Sequence, residues 1–308
     1  MAPMLDVTDT VFRQVVCKYG KPDVMFTEFI SVDGLVNKKA REKLIRNYLR
    51  YSKKERPIVA QIWGSDPKKF YEAAKIIAKL NFDGIDINMG CPDKKVVKSG
   101  AGAGLILNPL LARKIIQATK KGAGKIPVSV KTRIGYEKNI IKKWILCLLK
   151  AELAAITIHG RTKKEMSKVP AHWDAIGKAV KIAKKYKKKH KSKTLILGNG
   201  DVKNLKDATE KIKVYGVDGI MVGRAVLANP WFFNSKKNVS KITLKERIKF
   251  LKTHVKLFDK YFGEIKSFNN LKKHIKGSVS GFSGAKEIRA MLMKSNNARE
   301  LVDKLDSF

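Results

Sequence analysis

The chain has 308 residues, 44% of them apolar, which is enough for one large packed domain and a small one and excludes wholesale disorder. Its 66 Lys and Arg against 27 Asp and Glu leave a formal charge of +39, so the surface needs anionic company, with nucleic acid the leading class. Three cysteines at wide spacing, Cys17, Cys91 and Cys147, exclude a disulfide framework and suit a reducing compartment.

In chain order, short apolar runs alternate with helical segments. The runs are Val24–Ile30, Ile58–Trp63, Gly84–Asn88, Val128–Arg133, Ala155–His159, Leu195–Asn199 and Gly219–Gly223. They are rich in Val and Ile, as strands buried in a parallel sheet are. Helical periodicity fills the gaps, for example over Lys68–Leu80 and Leu111–Lys121, which implies βαβ units. An eighth strand is needed to close a barrel, and Ala2-Pro3-Met4 is the candidate, as a stub. The runs end in polar side chains, Glu28, Gln61, Asn88, Lys131, His159 and Asn199, with Arg224 just past the last. A TIM (β/α)8 barrel gathers such residues at its C-terminal face, where active sites sit. An open doubly wound sheet scatters them along an edge.

After Pro230 no strand-like run follows. Ile248, Leu251, Val255, Phe258 and Phe262 recur at helical spacing within residues 243–262. The expected organisation is therefore a barrel over residues 1–234 and a small all-helical C-terminal domain over residues 235–308. The excess charge is +28 in the first part and +11 in the second, a similar density, so charge alone locates no RNA face. The densest basic run, residues 184–191, precedes a strand and is expected to be a solvated loop on the N-terminal face. No signal-peptide pattern opens the sequence, and no apolar run reaches the roughly 18 residues of a membrane span. A cytoplasmic chain with no membrane, metal or obligate protein partner is expected.

Cys91 stands out because Asn88-Met89-Gly90-Cys91-Pro92 follows directly on a buried strand. Pro92 disfavours a helical conformation at Cys91, and the glycines Gly100, Gly102 and Gly104 beyond it suggest a mobile lid. Cys17 and Cys147, inside helical patterns, read as inert packing residues. The glycine run lacks the spacing of a dinucleotide fingerprint, so a nicotinamide would visit rather than be stored. Lys131 at a barrel rim needs an anionic partner, and His159 beside Arg161 suits a ligand site. Gly198-Asn199-Gly200-Asp201 and Gly223-Arg224 end the last two runs, where TIM barrels commonly bind phosphate.

Together these stretches resemble the tRNA-dihydrouridine synthase family. The residues that carry the resemblance are Ala2-Pro3-Met4 with Val7-Thr8-Asp9 and Phe12-Arg13; Thr27-Glu28; Gln61; Asn88 to Pro92 with Lys94-Lys95-Val96; Gly100 to Gly102; Val130 to Arg133; His159 to Thr162; Gly198 to Asp201; and Gly223-Arg224. The resemblance implies FMN at the barrel mouth, tRNA as substrate, NADPH as a transient reductant, and a helical domain that helps hold tRNA. It places Ala2, Pro3 and Met4 along the flavin, and Gln61, Lys131 and His159 at its ring edge. Asn199, Gly200, Asp201, Gly223 and Arg224 would hold the phosphate, and Asn88 and Arg161 the uracil. Cys91 would give a proton to C5 as hydride reaches C6. Two other readings remain open at this level: an FMN enzyme acting on a free base, like dihydroorotate or dihydropyrimidine dehydrogenases, and a non-catalytic RNA-binding barrel.

Overall fold

The computed structural model describes residues 1–238, 241–280 and 282–308; Val239, Ser240 and Gly281, within the expected helical domain, lie outside the described residues. Eight strands form one parallel sheet: β1 (Met25–Phe26), β2 (Ile30–Ser31), β3 (Ile58–Trp63), β4 (Gly84–Met89), β5 (Val128–Arg133), β6 (Ala155–His159), β7 (Leu195–Asn199) and β8 (Gly219–Met221). From β3 to β8 each strand pairs with the next in sequence, with helices between them on the outside. This is the TIM-barrel architecture, followed by helices.

The first run is not one continuous strand. Phe26 stands opposite Val59 and Ile30 opposite Ile62, so residues 27–29 face only residues 60–61. One extra residue makes a bulge, and bulges re-aim side chains. Here the bulge carries Glu28. Residues 2–4 form no strand ladder either. They still fill the gap between β8 and β1: the Met1 nitrogen donates to Val24 O at 2.7 Å, and Ala2 N donates to Val222 O at 2.7 Å.

Strand alternation sorts the side chains. The outward set, including Ala60, Ile62, Ile85, Ile87, Val130, Ile156 and Ile158, belongs to the main apolar core beneath the helices. The inward set is largely polar: Gln61, Asp86, Asn88, Ser129, Lys131, Arg133, Thr157, His159 and Asn199. A small separate apolar cluster of Ala2, Phe26 and Met221, packed against Val59, also lies on that inner side. The barrel therefore has a polar lumen wall, which is what a site at its mouth requires.

Local rules explain the helices. Asp66 caps Pro67–Lys79 by accepting from Lys68 N, proline fills the first turn, and Phe70, Ala73, Ala74 and Ile77 make one buried stripe. Residues 184–191 depart from the expected loop: they form the last turns of the helix Trp173–His190 and its left-handed Lys191 cap. The negative end of the helix dipole favours cations there, which offsets their mutual repulsion. The glycine run after Cys91 also departs from expectation. Gly102–Leu107 is a 3₁₀ helix whose Gly102, Ala103, Leu105 and Ile106 are buried, so it is built into the wall instead of covering the mouth.

Among the described residues four helices of nine residues or more follow β8: Leu244–Phe262, Asn269–Ser278, Ala285–Met293 and Ala298–Asp306. Thr243 and Glu246 form a capping box on the first, and its stripe Ile248, Leu251, Val255, Phe258 and Phe262 is buried. Each such side chain contributes roughly 1.5–3 kcal/mol on burial. Tyr19, on the helix Thr10–Gly20, stacks edge-on against Phe250 at 5.4 Å, and the apolar core runs without a break from barrel to helices.

The joint also contains buried charge. Lys266 donates to Glu28 Oε2 at 2.8 Å and lies 3.6 Å from Asp9 Oδ2, with all three side chains nearly inaccessible. The ammonium also sits over the rings of Phe262 (4.6 Å) and Tyr48 (5.2 Å). Burial pushes the Glu28 carboxyl up, to about 7, against the pull of Lys266. The two neighbouring carboxylates hold the Lys266 ammonium above its usual range in spite of its burial.

Among the described residues no helix is long and apolar enough to cross a membrane.

Candidate active site

A cavity of about 670 Å³ opens at the C-terminal ends of the strands, within the range of small-molecule and cofactor sites. Its lining includes Ala2, Pro3 and Met4 from the closing segment, Lys131 and Arg133 from β5, and His159 and Arg161 from the end of β6. The last two strands contribute Asn199, Gly200, Asp201, Gly223 and Arg224. The structure therefore brings together eleven of the expected site residues, three of them within a few residues of position 1. Gln61 and Asn88 are not in the lining. They stand behind it, at 0% and 6% exposure, bonded to each other by Asn88 Nδ2 donating to Gln61 Oε1 at 3.1 Å.

Cys91 lies beside the lining residue Pro92 and within electrostatic reach of Lys131 and Arg133. Its N–H donates to Asn88 Oδ1 at 2.8 Å, and its carbonyl accepts from Ala103 N at 3.0 Å. Gly102 makes this possible: at φ +56° it is left-handed, and a Cβ there would come within 2.8 Å of the Cys91 carbonyl oxygen. The thiol is half-buried. Burial raises its pKa, while the Asp93 amide and the cations Arg133 and Lys131 oppose that rise. It is a thiol, not a thiolate, at neutral pH.

The cations around it are under strain from burial. Lys131 is lowered to about 8, by burial first and then by the charge of Arg133, with Asp86 and Cys91 opposing. Arg133 is lowered to about 10 by burial. His159 is pushed down to about 2, by burial and then by Lys131, Arg133, Arg161 and Arg224, so its imidazole is neutral. Its tautomer follows from its neighbour. Arg161 Nη1 lies 3.2 Å from His159 Nε2, and a guanidinium can only donate, so Nε2 is the acceptor and Nδ1 carries the proton.

Asp201 organises the opposite wall. It accepts from Arg161 Nη2 at one oxygen and from Arg224 Nη2 at the other (2.9 Å), and also from the Ala171 N–H (2.8 Å). Burial works against its ionisation, but these bonds and charges outweigh it and hold the carboxyl below the usual range. A carboxylate repels a phosphate, so what Asp201 contributes to an anion site is the aim of Arg224. The N–H groups of Asp201 and Val202 have no protein acceptor among the described residues. Gly200, at φ +120°, passes so close to Ala171 that a Cβ would meet it at 2.8 Å. Free amides, an exposed arginine and a tight glycine turn make a donor set suited to a phosphate, and Lys131 and neutral His159 suit an anionic ring edge.

The residue-by-residue reading of the sequence missed Arg133 and Asp86. Arg133 lines the cavity, donating to Gly90 O at 2.6 Å and to Thr162 O at 3.1 Å. Its signal was available: it is two residues beyond Lys131 on one strand, so it faces the same side. Asp86, two residues before Asn88, carries the same signal.

Comparisons with known proteins show the family and the fold. A family model described as dihydrouridine synthase (Dus) matches residues 1–308. A probable tRNA-dihydrouridine synthase of Staphylococcus aureus (strain MRSA252) is 43% identical over 310 residues, covering 100% of this chain and 92% of that protein. The probable tRNA-dihydrouridine synthase 2 of Bacillus subtilis (strain 168) is 40% identical over 310 residues, covering 100% and 93%. Among solved structures, morphinone reductase aligns with a TM-score of 0.54 at 11% identity, covering 80% of this chain and 87% of that one. The old yellow enzyme homologue from Zymomonas mobilis aligns at 0.51 and 13%, covering 79% and 88%. At such identities what is shared is the barrel fold.

Proposed function

The chain belongs to the dihydrouridine synthase family, and on that premise we propose that it reduces a uridine of tRNA to 5,6-dihydrouridine, with FMN at the barrel mouth and NADPH as reductant. The observation that carries this reading is a cavity at the strand ends lined by an ammonium and a neutral imidazole, with a protonated thiol next to its lining residue Pro92 and within charge reach of Lys131 and Arg133. The residues present fit the cofactor: the Gly200–Val202 turn with Arg224 suits its phosphate, and Lys131 with His159 suits its ring edge. When bound and reduced, FMN would supply a hydride for C6 of the uracil.

The protein's own groups do the rest. Lys131, charged below pH 8, faces negative charge at the mouth. His159 offers its Nδ1 proton as a donor, and Arg161 keeps it in that tautomer. Ala2, Pro3, Met4 and Met221 give the cavity its apolar side. Asn199 Nδ2 donates to Met221 O at 2.7 Å, which ties β7 to β8 beneath the glycine turn. The target base must leave the tRNA stack to enter the cavity, because C5 and C6 are shielded while it is stacked. Arg161 borders the space it would occupy, and Asn88 stands behind that wall. Cys91 Sγ–H gives its proton to C5, and the resulting thiolate recovers one from solvent. Residues 1–234 carry the chemistry in this reading, and residues 235–308 hold the RNA.

The test is Cys91→Ala. The variant keeps its flavin and is still bleached by NADPH, yet loses most dihydrouridine formation on unmodified tRNA, on the order of 10²–10⁴-fold. Full tRNA activity in that variant removes Cys91 from the reaction. Turnover of free uracil or orotate with none on tRNA would replace the polynucleotide with a free base, and a colourless protein that binds tRNA would make it a binding module.

A further inference from the structure

Asp86, Gln61, Asn88 and Ser129 point inward from three neighbouring strands and form one hydrogen-bonded chain that ends at the Cys91 backbone. Asp86 lies at its lower end with no exposed surface. Ser129 Oγ donates to Asp86 Oδ1 at 2.5 Å, and Gln61 Nε2 donates to Oδ2 at 2.7 Å. Asn88 Nδ2 donates to Gln61 Oε1 at 3.1 Å, and Asn88 Oδ1 accepts from the N–H groups of Gly90 (3.1 Å) and Cys91 (2.8 Å).

The direction of every link follows from the first. A carboxylate only accepts. Gln61 must therefore turn its NH₂ to Asp86, which leaves its oxygen for Asn88. Asn88 must then present its NH₂ to Gln61 and its oxygen to the loop. Flipping either amide would set oxygen against oxygen or N–H against N–H where no water reaches, so the buried groups would lose their partners. Burial raises the Asp86 carboxyl to about 6, against the Ser129 and Gln61 bonds and the Lys131 charge. Protonation below that pH preserves the directions, provided the new O–H lies toward Ser129, whose hydroxyl can turn and accept.

We propose that Asp86 is a positioning residue for the reaction: through Gln61 and Asn88 it sets the peptide that carries the Cys91 thiol. The Cys91 carbonyl is held from the other side by Ala103, so the N–H is the end that this chain controls. The inference rests on the proposed role of Cys91 as proton donor.

The experiment compares the holoenzyme with Asp86→Asn and Asp86→Leu. An asparagine keeps the directions, because its oxygen accepts from Gln61 while its NH₂ donates to Ser129 Oγ. A leucine has similar bulk and no acceptor. Asp86→Asn is expected to retain kcat on tRNA near the wild-type value. Asp86→Leu is expected to keep its flavin and its reduction by NADPH and to leave KM for tRNA unchanged, while kcat falls about 10- to 100-fold, as for a reacting atom misplaced by an ångström or less. In tRNA-free holoenzyme the pH midpoint for alkylation of Cys91 by iodoacetamide should shift in Asp86→Leu and stay put in Asp86→Asn. If the leucine variant does not fold, Asp86→Ser, whose hydroxyl is too short to reach Gln61, replaces it with the same expected readings. Wild-type alkylation and kcat in the leucine or serine variant overturn the proposal. Equal losses in the asparagine and leucine variants also overturn it, since charge beside Lys131 would then be what matters. A wild-type enzyme inert on tRNA would sink the functional reading alone, and the alkylation readings would still decide the role of Asp86.

Discussion

Replacing Lys266 by methionine should make the stability of this protein strongly dependent on pH. Met fills much the same volume and can lie over Phe262 and Tyr48, but it leaves the buried carboxyls of Glu28 and Asp9 facing each other without a cation. Removing one partner of a buried pair costs about 3–5 kcal/mol, because the charge left behind is uncompensated. The sign of the pH dependence follows from Glu28. Its folded-state pKa is already raised from 4.5 to about 7 with Lys266 present, and loss of the cation raises it further. A carboxyl whose folded pKa exceeds its unfolded one contributes stability that is present below the unfolded value and lost as pH rises through the folded one. The deficit in Lys266→Met relative to wild type should therefore be smallest below pH 7, where both keep Glu28 protonated, and grow by up to about 1.4 kcal/mol per pH unit above 7 until the variant's own higher pKa is passed. Urea midpoints followed by helical circular dichroism at pH 5.5 and pH 8.5, for wild type, Lys266→Met and the double variant Lys266→Met/Glu28→Gln, measure this. The double variant should recover the part of the loss at pH 8.5 that comes from Glu28, leaving only Asp9, which still accepts from Phe12 N, without its cation. An equal deficit at both pH values, or no rescue, would refute a buried charge as the cause.

Two further outcomes follow from the cavity. Lys131 is lowered from 10.5 to about 8, so its ammonium is present below pH 8 and lost above it. Binding of FMN to flavin-stripped protein, read by fluorescence quenching, should weaken between pH 7.5 and 9 by no more than the ~10-fold per unit of a single titrating group, and Lys131→Met should remove that dependence. The same shift makes the folded state shed this proton first, so stability rises with pH between about 8 and 10.5. Gly200→Ala adds a Cβ 2.8 Å from Ala171 at a backbone φ of +120°. It should cost about 1–3 kcal/mol of local strain and lower the flavin bound per chain, checked by absorbance; a fully loaded Gly200→Ala would show that the turn takes no part in holding the cofactor.

Periodicity and the polar ends of the runs were enough to foresee the barrel, because both are local properties of the chain. Residues 58–63, 128–133, 155–159 and 195–199 are strands with the expected bounds, and Ile248 to Phe262 is the expected buried stripe. The lining residues His159 and Asn199 were legible for the same reason: a strand's last inward residue points at the mouth wherever the strand sits, while Lys131 lies one inward position before the end of β5 and Arg224 just past β8. The lysines of residues 184–191 were misjudged because like charges read as solvated loop, whereas the end of a helix whose inner face is anchored by Ile176, Ala179, Val180 and Ala183 tolerates them.

What the tertiary structure alone decided is who meets whom. Lys266 and Glu28 are 238 residues apart, and neither carries a local sign of the other; their contact exists only because the helices after β8 return to the rim. The break at residues 27–29 shows only against the register of β3. The order of donors and acceptors from Asp86 to Cys91 likewise needs three strands side by side, since a glutamine or asparagine has no preferred end until a fixed acceptor faces it. Sequence determines which side a residue faces through a two-residue repeat. Partners across the lumen are set by closure of the ring, and no local pattern records that.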